Sequence, residues 1–255
     1  MAAPLREFKV DRLNVKVYTD RAALGRAAGR EAAERIRAMQ REGRALNLLF
    51  ASGLSQVETL EALRREPGIP WETVSAFHMD EYIGLPADAP QAFGQFLRDR
   101  FFTGLPLGRA FYLDGNAPDL QEECERYARL LREHPLDLAL LGIGENGHLA
   151  FNDPGVADFE DPLPVKVVED LDPTCRQQQV HDGQFRSLAE VPLRAITLTI
   201  PTLFAARAAL VMVPGPTKRD IVRRTLQGPI DESCPATILR THPDAWLFLD
   251  RESAA

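Results

Sequence analysis

The chain has 255 residues, 45% of them hydrophobic, with 30 Lys and Arg against 37 Asp and Glu, a formal net charge of −7. That length supports a large core and fits one α/β domain. The acidic balance argues against nucleic-acid binding, which needs clustered cations to neutralise phosphates. No apolar run nears the roughly 20 residues that cross a bilayer, and Met1–Glu7 lacks a signal-peptide core, so the expectation is a soluble cytoplasmic protein with no membrane partner.

In chain order, apolar strand-like runs alternate with amphipathic helical ones, the pattern of parallel strands joined by crossover helices. The expected strands are Leu13–Tyr18, Ala45–Ala51, Val74–Phe77, Ala110–Leu113, Leu136–Leu141, Ala195–Thr199, Ala209–Val213 and Trp246–Leu249. A helix is expected over Arg21–Arg41 after an N-cap at Asp20, another over Val57–Arg65, and a third over Leu120–Glu133 with Leu120, Cys124, Tyr127, Leu130 and Leu131 as its apolar stripe. The fold class is therefore α/β: a doubly wound, mostly parallel, Rossmann-like sheet with helices on both faces. Residues 1–255 read as a single domain, in which the Asp- and Pro-bearing stretch Ala157–Pro164 suggests a lid, extending over about 156–190. Cys124, Cys175 and Cys234 are odd in number and lack CxxC spacing, so reduced thiols are expected, with no disulfide framework and no metal site.

Four polar, mostly glycine-bearing segments follow strands: Ser52–Ser55, Met79–Gly84, Gly142–Gly155 and Pro214–Lys218. In a parallel sheet all four open at one edge, where ligands bind. In the third, Gly142, Gly144 and Gly147 give the backbone freedom around His148, whose ordinary pKa of about 6.5 suits a proton carrier. Asp153 either orients that imidazole or serves as a turn residue before Pro154. The glycine spacing does not match a dinucleotide fingerprint. Asp80 and Glu81 follow a strand directly, so both carboxylates are expected to face the cleft; one is a candidate base, and the alternative is a helix cap beside a solvated acid. Ser52, Gly53 and Ser55 precede a helix whose N-terminus is an anion site, or Ser55 merely caps it. Lys218 reads as an anion-binding cation or as a surface lysine.

Phe77–Pro86, Asp114–Asp119 and Leu141–Pro154, in that order, resemble the glucosamine-6-phosphate deaminase/isomerase family, which shares its fold with the 6-phosphogluconolactonases; the likeness runs from about Leu46 to Asp250. The resemblance implies an enzyme, a hydrolase acting on an amino-sugar phosphate, that converts glucosamine 6-phosphate to fructose 6-phosphate and ammonia with no cofactor. It implies that His148, helped by Asn146 and Asp153, opens the pyranose ring, and that Asp80, supported by Glu81, carries a proton from C2 to C1. The phosphate would meet Ser52, Gly53, Ser55, Lys218 and Arg176.

Several positions depart from the family pattern. Asn146 stands where many members have Asp, and Asp153 is one methylene shorter than the usual Glu, which predicts a shifted or water-mediated bond to His148. Leu54 puts a bulky side chain in the phosphate loop, and His181 stands where a second phosphate-binding arginine is expected. These departures keep open a lactonase, an isomerase of another sugar phosphate, or a non-catalytic sugar-phosphate sensor. Every apolar helix face is either core or interface, so a homo-oligomer is compatible with the sequence.

Overall fold

In a computed structural model, described over residues 3–86 and 88–254, the chain begins with an antiparallel pair, β1 (Arg6–Val10) and β2 (Leu13–Tyr18), followed by α1 (Arg21–Gln40), β3 (Leu46–Phe50) and α2 (Val57–Arg65). Next come β4 (Val74–His78), β5 (Asp80–Tyr82), α3 (Phe93–Leu97), β6 (Arg109–Phe111), α4 (Leu120–Glu133) and β7 (Leu138–Leu141). The last part contains β8 (Val165–Val168), α5 (Pro173–His181), β9 (Ala195–Leu198), α6 (Ile200–Phe204), β10 (Ala208–Val213), α7 (Arg219–Gln227) and β11 (Ala245–Asp250).

Eight strands form one sheet in the order β1-β2-β11-β10-β7-β3-β4-β6, parallel except for β1. From β3 the chain moves outward to β4 and β6, whereas from β7 it moves the other way to β10 and β11. The winding therefore reverses between the neighbours β3 and β7, and a crevice opens beyond the carboxyl ends of strands at such a switch point. Alternation along the strands feeds two cores. Leu48, Phe50, Leu138 and Leu140 pack beneath α1 and α2, while Leu49, Ala139 and Leu141 pack with α4, α6 and α7 on the other face.

Asp20 caps α1 by accepting from the Ala23 amide at 2.8 Å. This helix lies close against α2: a Cβ on Gly29 would sit 2.7 Å from both Ala62 Cβ and Thr59 O. Alanine here gains about 1 kcal/mol of helix propensity, but the clash includes backbone and overpacking costs about 1–3 kcal/mol. Gly29→Ala is thus expected to lower the urea midpoint of unfolding, with no change in its slope.

Three parts of the fold differ from expectation. Ala195–Thr199 does not join the parallel sheet; β9 instead pairs antiparallel with both β5 and β8 in a separate three-stranded sheet. Beyond Pro164 the chain forms two elements for which no strand or helix is expected, β8 and α5, and the latter shares a small core with Tyr82, Phe93 and Phe151. Strand β1, an Arg- and Lys-bearing edge strand, lacks the apolar run that marks buried strands.

Candidate active site

The loops after β10, β7, β3 and β4, four adjacent strands, surround a cleft of about 280 Å³. Gln56 ties two of them together, its side-chain amide donating to Leu141 O at 3.2 Å and to Ser55 Oγ at 3.0 Å.

His148 lines this cleft. Its Nδ1 lies 2.8 Å from Asn146 Oδ1 and 3.0 Å from Asp153 Oδ1, both acceptors, so Nδ1 carries the proton and Nε2 is left to accept one. Asn146 in turn donates to Asp153 Oδ1 at 2.8 Å and to Asp172 Oδ1 at 3.1 Å. The shorter Asp153 side chain therefore reaches the imidazole directly, without the shifted or water-mediated bond expected for it. Burial pushes the Asp153 carboxyl up, but the hydrogen bond and charge of His148 outweigh it and hold the group below the usual carboxylate range.

Backbone geometry makes room for the ring. Gly147 (φ 94°) and Ala150 (φ 52°) both take left-handed conformations, the second without the freedom of glycine. A Cβ on Gly144 would fall 2.0 Å from His148 Cε1. Gly144→Ala must displace the imidazole, and a shift of about 1 Å costs roughly 10²-fold in rate. The expected result is a kcat loss of that order in steady-state kinetics, with the melting temperature changed much less.

Asp80 and Glu81 part company. Successive strand residues point to opposite faces, so Asp80 lines the cleft whereas Glu81 turns away from it. Glu81 accepts from the amides of Tyr82 (2.9 Å), Phe93 (3.0 Å) and Gly94 (2.8 Å), fastening the start of α3. This corrects the expectation that both carboxylates face the cleft: Glu81 positions backbone. Burial first, and the neighbouring Glu81 charge second, raise the Asp80 carboxyl well above the ordinary range. His78, fully buried behind them, accepts from the Leu113 amide at 2.9 Å, and burial lowers it to about 4, so it stays neutral.

Ser52, Gly53, Leu54 and Ser55 also line the cleft, together with Lys218. Lys218 is buried, which lowers its pKa to about 8, and it donates to Gln178 Oε1 at 3.1 Å. Arg176 is not on the cleft. Its guanidinium donates instead to Leu188 O at 2.6 Å and Val191 O at 2.9 Å, while Gln178 and Gln179 of α5, and Asp182 just after it, line the cleft. His181 also lies outside, 3.5 Å from Glu145 Oε2. Among the lining residues not expected from the sequence are Arg21, which looks like the polar first residue of an amphipathic helix, and Gln178, one of three consecutive glutamines.

One group of potential metal donors converges among the described residues: His148, Asp153 and Cys175, all within 4.8 Å. His148 and Asp153 are already bonded to each other. Burial and the Asp153 charge keep the Cys175 thiol protonated, 3.9 Å from His148 Nε2. The arrangement is that of a carboxylate-backed imidazole with a thiol beneath it, and nothing in it calls for a cation.

Fold and cleft define a doubly wound α/β protein of the acid–base type, with a buried carboxyl and a proton-accepting imidazole in one crevice at the switch point. A family model described as glucosamine-6-phosphate isomerases/6-phosphogluconolactonase matches residues 19–247, and the chain belongs to this family. A glucosamine-6-phosphate deaminase of Listeria innocua is 34% identical over 229 residues, covering 90% of this chain and 95% of that protein. One from Bacillus cytotoxicus is 36% identical over 204 residues, or 80% of this chain and 75% of its own. Among solved structures, a monomeric glucosamine-6-phosphate deaminase superposes with a TM-score of 0.84 at 32% identity, covering 94% of this chain and 98% of that one. The 6-phosphogluconolactonase of Trypanosoma brucei, at 21% identity with a TM-score of 0.77 and 98% of both chains covered, shares the fold.

Proposed function

We propose that the protein converts glucosamine 6-phosphate to fructose 6-phosphate and ammonia. The observation that carries this reading is the pairing, in one cleft, of His148, with Nε2 unprotonated, and Asp80, with a raised pKa. His148 Nε2 takes the proton of the sugar's anomeric hydroxyl, the C1–O5 bond breaks, and the proton passes to O5. Asp153 and Asn146 hold the ring and stabilise the imidazolium that forms. Asp80 then removes the C2 proton; its electron pair forms a C1–C2 double bond as the C1=O π pair moves to O1, which takes a proton from solvent, and the same carboxyl returns a proton to C1 as the nitrogen lone pair closes onto C2. The resulting C2 iminium adds water and releases ammonia, so the net reaction consumes one water, the sense in which the enzyme is a hydrolase.

A carboxyl whose pKa is raised toward working pH is a stronger base than an ordinary one. Because Asp80 must be ionised to act, the acidic limb of kcat/KM is expected above the usual carboxylate range of about 4, as a pH–rate profile would show. Ser52, Gly53, Ser55 and Lys218 hold the phosphate, and α5 covers the cleft as part of a lid; residues 1–255 act as one domain. The three buried, unpaired cysteines fit a reducing cytoplasmic compartment, and no helix among the described residues is long and apolar enough to cross a membrane. A substrate panel tests the assignment. Rapid turnover of glucosamine 6-phosphate and indifference to 6-phosphogluconolactone is the expected result, and the reverse ranking would replace it with a lactonase.

A further inference from the structure

The phosphate end of the cleft has one cation from the expected set, Lys218, since Arg176 and His181 both lie outside it. A second cation nonetheless lines the cleft, and it comes from a different element. Arg21, the first residue of α1, reaches back over the Gly53–Ser55 loop, where its guanidinium donates to Leu54 O and, at 2.6 Å, to Glu58 Oε1. A guanidinium has five N–H donors in a rigid fork. Two are committed here, and three remain on a side chain whose position is already fixed. Glu58 offsets part of its charge, but the pair is partly exposed, with 40% and 32% of the two side chains accessible, so solvent screens that attraction.

We propose that Arg21 is the second cation of the phosphate site, gripping the phosphomonoester from the α1 side while Lys218 holds it from the β10 side. The inference rests on the sugar-phosphate reading above. It also explains how an α5 without a phosphate-facing arginine is tolerated. Here α5 gives the cleft neutral amides, Gln178 and Gln179, together with the acid Asp182, and the missing positive charge enters from α1.

The test compares wild type, Arg21→Met and Arg21→Lys in three measurements: KM for glucosamine 6-phosphate, the inhibition constant of inorganic phosphate, and that of unphosphorylated glucosamine. Losing a charge-assisted contact is expected to raise the first two roughly 10- to 100-fold in Arg21→Met. The glucosamine constant should stay within about threefold, and Arg21→Lys should recover part of the loss because it keeps the charge without the fork. Unaltered phosphate inhibition in Arg21→Met would overturn the proposal. So would an equal weakening of glucosamine and phosphate, which would make Arg21 a brace for the Leu54 loop. If wild type fails to turn over glucosamine 6-phosphate, the functional reading falls. The Arg21 site is then judged separately, by whether inorganic phosphate raises the melting temperature of wild type more than that of Arg21→Met.

Discussion

Asp80→Asn is expected to remove turnover, lowering kcat by about 10³-fold or more, within or beyond the range usual for loss of a general base, while KM stays within about tenfold, or 1.4 kcal/mol. The asymmetry follows from the role assigned: the carboxylate takes and returns a proton, and the amide that replaces it has nearly the same shape and no basicity. Parallel losses in binding and rate would mean that Asp80 holds the sugar. The same substitution is expected to stabilise the fold. Asp80 is buried and its folded pKa is raised, so the native state favours the protonated form. The Asp80 contribution to stability is then greatest below the unfolded pKa of about 3.9 and is lost as pH rises through the folded value. Asn does not titrate. The stability advantage of Asp80→Asn should therefore grow as pH rises above about 4, as paired urea titrations would show.

Asp153→Asn is expected to have the second-largest effect. Asp153 is fully buried, and its Oδ1 lies 3.0 Å from His148 Nδ1. An amide in its place removes the charge that stabilises the imidazolium and, by donating to Nδ1 in competition with Asn146 Oδ1, favours the tautomer protonated on Nε2, which has no acceptor facing the substrate. In a serine protease, the corresponding change from Asp to Asn behind a catalytic histidine costs about 10⁴-fold in rate. Ring opening is less demanding than peptide cleavage, so a kcat loss of about 10²–10⁴ is expected, with KM much less affected. Nitrogen NMR of His148 reports the tautomer directly: wild type should carry its proton on Nδ1 and the variant on Nε2. A full rate in the variant, or an unchanged tautomer, would remove Asp153 from the mechanism.

The large sheet was legible because buried parallel strands have near-continuous apolar runs: Leu46–Phe50 and Leu138–Leu141 are buried at every position. The His148 loop was legible for a related reason, as glycines and polar groups directly follow such a run. The small sheet was not. Strand β5 is three residues long and begins on an acid, and β8 sits in a stretch that reads as loop. Ala195–Leu198 is buried throughout, and apolarity alone cannot tell a parallel from an antiparallel partner. Within the site, two errors arose from side-chain direction. Asp80 and Glu81 are adjacent in sequence, but the strand's alternation sends them to different sides. Arg176 lies only two residues from Gln178, but the pitch of α5 carries it about 200° around the helix. Arg21 was hidden because its role depends on α1 packing against the loop after β3, a contact between segments more than thirty residues apart.

The central claim is that a single carboxyl, on one face of the opened sugar, moves the proton between C2 and C1. NMR analysis of the product formed from glucosamine 6-phosphate in heavy water by the wild-type protein tests it most directly. The account predicts fructose 6-phosphate with an equal amount of ammonia, and any deuterium that enters C1 confined to one of its two hydrogen positions. Deuterium shared equally between both C1 positions, or an amino sugar recovered unchanged, would contradict it.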